Sequence, residues 1–160
     1  MKKSLILAIA LFSISAVSSA QKSVDGTKAI EVKKSTVDWK GEKVTGEHTG
    51  TIAIKSGSLE MKDNKLTGGT VVMDMTSIVV TDLDGEYKDK LEGHLKSDDF
   101  FGVANFAEST LEVKNVSETD KKGVFTVNGD LTIKGITKPI SFTTTMLDDK
   151  GTLVANANII

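Results

Sequence analysis

The chain has 160 residues, about one domain's worth, with no cysteine, and all 20 of its basic residues are lysine. The absence of cysteine excludes a disulfide framework, a thiolate zinc site and a cysteine nucleophile. Without arginine, no guanidinium can make bidentate hydrogen bonds to phosphates or guanine edges. The net charge of −2 does not indicate a basic surface for nucleic acid, so we expect no nucleic-acid partner.

The first twenty residues predict a secretory signal peptide. A basic start at Lys2 and Lys3 precedes an apolar run over Ser4–Val17, and small residues follow at 18–20, before Gln21. The run is shorter than the roughly 20 residues that a membrane-spanning helix needs, so we expect no stable membrane span. A retained N-terminal anchor is the alternative. We therefore divide the chain into a signal peptide, 1–20, and a single domain, 21–160, that is periplasmic or secreted.

Beyond the signal, the chain is predicted to form β-strands. Threonine, valine and isoleucine recur in short runs that alternate apolar and polar residues, with glycine between them. Such spacing is typical of an antiparallel sandwich or barrel. The runs that we predict as strands are residues 30–33, 36–40, 50–55, 71–76, 106–114, 124–134, 140–147 and 152–160.

Two hairpins follow from turn residues. Asn128-Gly129 is a strong turn dipeptide, but a turn there would mix apolar and polar side chains on each face, so we predict a continuous strand. We place the turn at Gly135-Ile136, as type II′, which sets Leu131 opposite Ile140.

That turn also sets Gly129 opposite Phe142 and Phe125 opposite Met146. The second hairpin turns at Asp63-Asn64. It needs a register slip, which Gly68-Gly69 would supply as a bulge.

One helix is predicted between the strands. Asp82 or Asp84 would cap its start. Tyr87, Leu91 and Leu95 fall at i, i+4 and i+8 and predict a single apolar stripe that packs on the sheet.

The sequence carries little catalytic chemistry. It has no nucleophile elbow, no Walker loop and no Gly-x-Gly-x-x-Gly motif. His48 and His94 are 46 residues apart, a spacing that demands no metal, and we interpret them as structural residues or as polar residues at a pocket mouth. We expect no catalytic residue, no metal and no cofactor; an enzyme built on the two histidines is the alternative.

The apolar faces of the predicted strands allow two outcomes. Met61, Met73, Met75 and Met146 are adaptable fillers of an ordinary core. A small barrel either fills itself with side chains or holds one apolar ligand, and the pattern does not separate these outcomes.

Two longer motifs carry a family resemblance. Residues 94–101 read HLKSDDFF and residues 129–140 read GDLTIKGITKPI. Together with Ser35-Thr36-Val37-x-Trp39, His48-x-Gly50 and the strand over 69–78, they resemble the YceI-like family of bacterial exported proteins. The resemblance covers roughly residues 29–146.

The resemblance implies a lipocalin-like antiparallel β-barrel with one short helix, which holds a polyisoprenoid such as a quinone or its precursor in an apolar tunnel. By motif position, His48, His94, Phe100 and Phe101 match recurrent family residues. The polar candidates for the tunnel mouth are His48 and His94. The apolar tunnel candidates are Trp39, Ile52, Ile54, Val71, Met73, Met75, Leu91, Leu95, Phe100, Phe101, Phe125, Val127, Leu131 and Phe142.

The last residues raise a question about closure of the barrel. Relatives continue beyond the position of Ile160, whereas here the sequence stops inside an alternating run, 153–160. We therefore expect a barrel that lacks its C-terminal closing strands, with an unpaired edge that allows a homodimer. The alternative function is a non-catalytic structural or interaction domain with a filled core.

Overall fold

The structure is a computed structural model that describes residues 25–43, 46–63, 65–149 and 152–159. These residues form one curled antiparallel sheet and one α-helix, which confirms the predicted mainly-β class. The elements are β1 (Gly26–Ala29), β2 (Val37–Lys43), β3 (Gly46–Lys62), β4 (Lys65–Val80), α1 (Gly85–Lys96), β5 (Glu108–Glu118), β6 (Val124–Ile133), β7 (Ile136–Asp149) and β8 (Thr152–Ala157). The predicted signal peptide lies outside the described residues, and no helix within them has the length and apolarity to cross a membrane.

The strands follow the order β1-β3-β4-β5-β6-β7-β8. The strand β2 also pairs with β3, on the same edge as β1: β1 pairs with the C-terminal part of β3 and β2 with its N-terminal part. Within the described residues, β8 pairs with β7 alone and does not return to β1 or β2. The sheet is therefore a half-barrel with an open side.

Side-chain alternation gives the sheet an apolar face and a polar face. Val71 on β4, Leu111 on β5 and Leu131 on β6 lie opposite one another across the strands. One residue along, Thr110 lies opposite Thr132, and the Thr132 and Thr137 hydroxyls are 2.8 Å apart. Because successive side chains point to opposite faces, the sheet has an apolar inner face and a threonine-rich outer face.

Two clusters of buried side chains close the ends of the inner face. At the β3–β4 turn, Met61 and Leu66 pack with Met146 of β7. Because β7 is not a neighbour of β3 or β4 in the sheet, the contact of Met146 with the other two residues shows how strongly the sheet curls. At the other end, Ile78 and Val80 of β4 pack with Leu95 of α1.

The prediction of a strand over residues 30–33 is wrong. Val32–Lys34 form a 3₁₀ turn, closed by hydrogen bonds from the Lys34 N–H and the Ser35 hydroxyl to the Glu31 carbonyl. The Ile30 N–H still donates to the Gly57 carbonyl. β1 and β2 are therefore two parts of one edge strand, which the 3₁₀ turn interrupts. An edge strand has only one partner, which allows such an excursion.

The β6–β7 hairpin keeps the predicted faces but not the predicted pairs. Asn128-Gly129 lies within β6, as predicted, but the turn is Lys134-Gly135, with φ of 50° and 70°. Two positive φ angles define a type I′ turn, whose twist matches that of the strands. Ile133 therefore lies opposite Ile136, and every pair is displaced by two residues from the prediction.

Because a two-residue shift preserves the side-chain faces, the inner face survives this error. Leu131 lies opposite Lys138 instead of Ile140. Gly129 lies opposite Ile140, Val127 opposite Phe142 and Phe125 opposite Thr144.

The β3–β4 hairpin is confirmed, with Lys62 opposite Lys65. Asn64 itself lies outside the described residues. The register slips by one residue between the Glu60–Gly68 and Met61–Leu66 pairs. The slip that we assigned to Gly68-Gly69 therefore lies at Thr67, one residue earlier.

The helix is confirmed, but its predicted apolar stripe is only partly correct. Leu95 is buried and Leu91 is half-buried, whereas Tyr87 is 76% exposed. The C-terminal half of the helix is held against β4, where the Val80 N–H donates to the Glu92 carboxylate at 2.9 Å. Tyr87 lies beyond this anchor, and its phenol tolerates water. Asp84 is the N-cap residue, without a side-chain capping hydrogen bond.

Two glycines of this helix allow a matched test of backbone preference. A Cβ at Gly93 or at Gly85 would meet nothing within 4 Å, but Gly85 has a φ of +56°. We expect Gly93→Ala to stabilise the protein by about 0.5–1 kcal/mol, because alanine is the better helix former. Gly85→Ala should destabilise it, since alanine is strained at positive φ. Thermal unfolding of both variants checks the pair, and equal shifts would contradict it.

Candidate functional site

The middle of the inner face carries apolar side chains that remain partly exposed. Val71, Met73, Leu131 and Phe142 are half-buried, although all four point to the apolar side of the sheet. Ile54, Met75 and Val127 are buried around them, and Phe125 packs at the β3–β4 end. We call this surface the trough. It lies between the two buried clusters and faces the open side of the half-barrel.

The concave space at the β3–β4 end of the trough is small. A depression of about 230 Å³ is lined by Leu66, Val116 and Phe125, with Lys65 and Glu118 at its rim. Pockets that bind drug-sized ligands have volumes of roughly 300–1,000 Å³. A long ligand would therefore extend along the trough, not fit into this depression.

The helix end of the trough gathers most of the remaining apolar candidates. Trp39 and Ile52 of the sheet pack against the cluster of Ile78, Val80 and Leu95. The other partly buried members of this cluster are Leu83, Leu91 and Phe101. Phe100 is 45% exposed and packs edge-on to Phe101, with ring centroids 4.6 Å apart. Phe101 thus contributes to the trough end, whereas Phe100 lies at the surface.

Trp39 lies directly on Gly50. The two residues are paired across β2 and β3, and a Cβ at Gly50 would be 2.5 Å from the Cε2 and Cζ2 atoms of the indole. The indole Nε1 is buried and has no hydrogen-bond partner among the described residues. A buried donor without a partner costs about 1–3 kcal/mol, so this N–H is a site at which an acceptor would stabilise the protein.

A carboxylate fixes the orientation of His48. The β2–β3 ladder pairs Trp39 with Gly50 and Gly41 with His48, so Trp39 and His48 point to the same face of the sheet. His48 Nδ1 lies 2.8 Å from Asp82 Oδ2, and the Thr49 N–H donates to Asp82 Oδ1 at 2.9 Å. The hydrogen bonds from Thr49 and then from His48 hold the pKa of the Asp82 carboxyl below its ordinary value.

The lowered pKa of Asp82 predicts how stability depends on pH. Ionised Asp82 stabilises the fold above its ordinary pKa of 3.8, and this contribution is lost as the pH falls through the lower folded-state pKa. We expect wild type to exceed Asp82→Asn in stability at pH 6, and the difference to shrink as the pH falls below 3.8. Urea unfolding at pH 6 and at a series of lower pH values measures it. Asp84→Asn removes a carboxylate from the same loop and is the control; a constant difference for Asp82→Asn would contradict the assignment.

The second histidine has a different environment. His94 is exposed near the end of α1, and its ring packs edge-on to Phe100, with centroids 5.9 Å apart. The two histidines thus have different partners, Asp82 for His48 and Phe100 for His94. No three histidine, aspartate or glutamate side chains in the described part of the chain are grouped so as to hold a metal ion.

The two sequence motifs meet each other in space. The Lys134 ammonium, from the β6–β7 turn, donates to the Asp98 carbonyl at 2.6 Å. Phe106 lies against both Gly102 and Gly135, where an added Cβ would be 3.4 Å and 3.0 Å from its ring. This contact joins the segment after α1 to the sheet. Sequence reasoning missed Lys134 and also Asp82, which it considered only as a helix cap.

The geometry defines a lipocalin-like half-barrel with an apolar trough and a helix at one end. Residues 29–159 match the YceI-like domain, and the chain belongs to this family, which confirms the resemblance seen in the motifs.

Individual proteins match this chain over different extents. UPF0312 protein SAB2563 of Staphylococcus aureus is 48% identical over 54 residues, which make up 34% of this chain and 28% of that protein. The matched segment thus spans little more than a quarter of this relative. The solved structure of Burkholderia cenocepacia BcnA is similar in fold, with a TM-score of 0.65 and 17% identity over 80% of this chain and 77% of that chain. A Campylobacter jejuni YCEI protein has a TM-score of 0.44 and 16% identity, covering 91% and 69% of the two chains.

Proposed function

We propose that this protein is an exported carrier, periplasmic or secreted, that binds a long apolar ligand along the trough. The ligand would be an isoprenoid-type lipid such as a quinone or its precursor, and the protein would act by binding and not by catalysis. The observation that carries the proposal is the row of half-buried apolar side chains, Val71, Met73, Leu131 and Phe142, between two closed ends.

The physical basis of binding is the burial of apolar length. Each methylene group removed from water contributes about 0.8 kcal/mol, so an isoprenoid chain gains affinity along its whole length without specific polar contacts. The signal peptide predicted from the sequence and the membership of the YceI-like family support the same function.

A test of the proposal is the dependence of affinity on chain length. Geraniol, farnesol and geranylgeraniol carry the same head group on ten, fifteen and twenty carbons, and native mass spectrometry or calorimetry can titrate each. We expect at least a tenfold gain in affinity for each added isoprene unit, since five carbons enter the trough. Equal affinities, or no binding of any of the three, would overturn the carrier function.

A non-catalytic interaction domain is the second candidate. The observation that favours it is the small depression of about 230 Å³ beside Leu66 and Phe125, together with the burial of Ile54 and Met75. A filled inner face would leave no room for a ligand. The same titration separates the two functions, because a filled core binds no chain of any length.

A further inference from the structure

The methionines within the described residues differ in their access to water. Met61, Met75 and Met146 are buried, with exposed fractions of 8%, 3% and 8%. Met73 is half-buried and belongs to neither of the two buried clusters that close the ends of the inner face. Of these four side chains, Met73 is therefore the one that a small solute reaches most readily in the folded protein.

The buried methionines are also protected by their neighbours. The Ser109 hydroxyl donates a hydrogen bond to the Met75 sulfur at 3.1 Å, in a contact that is itself buried. This bond engages a lone pair of the sulfur, and a lone pair is what attacks an oxidant. Met61 and Met146 pack with Leu66 at the β3–β4 end of the sheet. Burial and contacts thus favour Met73 as the first methionine to react.

Met73 lies in the middle of the trough. It is paired with Ile54 of β3 and with Ser109 of β5. Val71 lies two residues earlier on β4 and points to the same face, so the two side chains are consecutive members of the apolar row. The apolar chain of a ligand along the trough would cover Met73, and a chemical change at this residue alters the surface on which the ligand lies.

Oxidation by a peroxide makes this surface polar. The thioether sulfur attacks one oxygen of the peroxide, the O–O bond breaks, and the second oxygen takes the remaining proton and leaves as water. The sulfur loses two electrons and the peroxide gains them, which gives methionine sulfoxide. The sulfoxide oxygen accepts hydrogen bonds from water, and an apolar chain that covers it removes the water and offers no donor in exchange.

We infer that Met73 is a reversible oxidation site, at which a peroxide converts the trough from a ligand-binding to a ligand-releasing form. The chain has no cysteine, so methionine holds all of its sulfur. An exported protein works in an oxidising compartment, and methionine sulfoxide reductases can reverse the change. The inference rests on the proposed function, because the ligand is what loses its apolar contact.

The order of oxidation is the first test. The folded protein would be treated with hydrogen peroxide, and fragment-ion mass spectrometry of its peptides would follow each methionine separately. We expect Met73 to be oxidised at least about tenfold faster than Met75, because it is more exposed and its sulfur is not the one bound by Ser109. Saturation with geranylgeraniol should slow the oxidation of Met73, since the bound chain covers it.

The affinity for geranylgeraniol is the second test. Calorimetry would compare untreated protein, oxidised protein and oxidised protein repaired by the two reductases that act on the two sulfoxide epimers. We expect oxidation to weaken binding by roughly 5–150-fold, the effect of covering a polar group that lacks a partner, and repair to restore it. Met73→Gln should weaken binding in the same way without any peroxide.

Two conservative variants assign the effect to one residue. Leucine replaces methionine with little change in volume, so Met73→Leu should bind geranylgeraniol and keep its affinity after peroxide treatment. Met61→Leu is the matched control and should lose affinity after treatment as the wild type does. Urea unfolding of each treated protein would be measured beside the titrations, because the switch requires that the oxidised protein stays folded.

The outcomes separate this inference from the proposed function. Oxidation of Met73 no faster than that of Met75, unchanged affinity after Met73 is oxidised, or an equal loss of affinity in Met73→Leu would each overturn the switch. Unfolding of the oxidised protein would overturn it as well. If the untreated protein does not bind geranylgeraniol, the proposed function fails and the switch fails with it; equal binding before and after oxidation removes the switch alone.

Discussion

Replacement of Gly50 by alanine is expected to destabilise the protein by about 3 kcal/mol or to prevent folding. The added Cβ would overlap the Val79 carbonyl oxygen and lie 2.5 Å from two atoms of the Trp39 ring. The carbonyl belongs to the adjacent strand, where Gly50 pairs with Val80, so it cannot withdraw without breaking the ladder. The indole packs against the buried cluster at the helix end and is equally confined.

The matched control is Gly41→Ala. Gly41 lies on β2, opposite His48, and a Cβ there would meet only the Cζ3 atom of Trp39, at an ordinary distance of 3.9 Å. Both substitutions add one methyl group beside the same indole, so the difference between them isolates the overlap at position 50. Urea unfolding of the two variants measures it. A Gly50→Ala variant as stable as Gly41→Ala would show that the indole does not lie on Gly50.

The family motif around His48 has a clear structural reason in this light. Gly50 lets the indole approach the backbone, and His48 is the next side chain along β3 on the same face. The sequence identified Gly50 only as part of a motif, and it predicted His48 as a structural residue or as a polar residue at a pocket mouth. It did not predict that Asp82 holds the histidine, because the contact joins residues 34 positions apart, across the pairing of β3 with the end of β4.

The sequence was more informative about faces than about pairs. Alternation predicted the inner-face residues of β6 correctly, because a side-chain period of two depends only on local geometry. The register of β6 with β7 depended on which residues occupy the turn, and Lys134 adopts a positive φ that its type does not predict. The stripe on α1 failed at Tyr87 for a similar reason: periodicity does not show where the sheet beneath a helix ends.

Introducing aspartate at Val71 is expected to lower the affinity for geranylgeraniol by at least ~100-fold, since an ionised carboxylate must then be covered by an apolar chain. Val71 is half-buried in the trough, opposite Leu111, and its neighbour Val72 is half-buried on the outer face, opposite Thr110. Val72→Asp makes the same chemical change one residue away. It should leave the affinity within about twofold, because the outer face takes no part in binding.

The comparison must separate lost binding from lost structure. Calorimetric titration would be run beside urea unfolding of both variants, and the isosteric Val71→Thr replaces the aspartate if Val71→Asp is unfolded at 25 °C. A buried hydroxyl without a partner costs about 1–3 kcal/mol, so Val71→Thr should weaken binding by roughly 5–150-fold. Equal effects at positions 71 and 72 would mean that the ligand does not lie on the inner face. The half-buried side chains of the trough would then serve packing and not ligand binding.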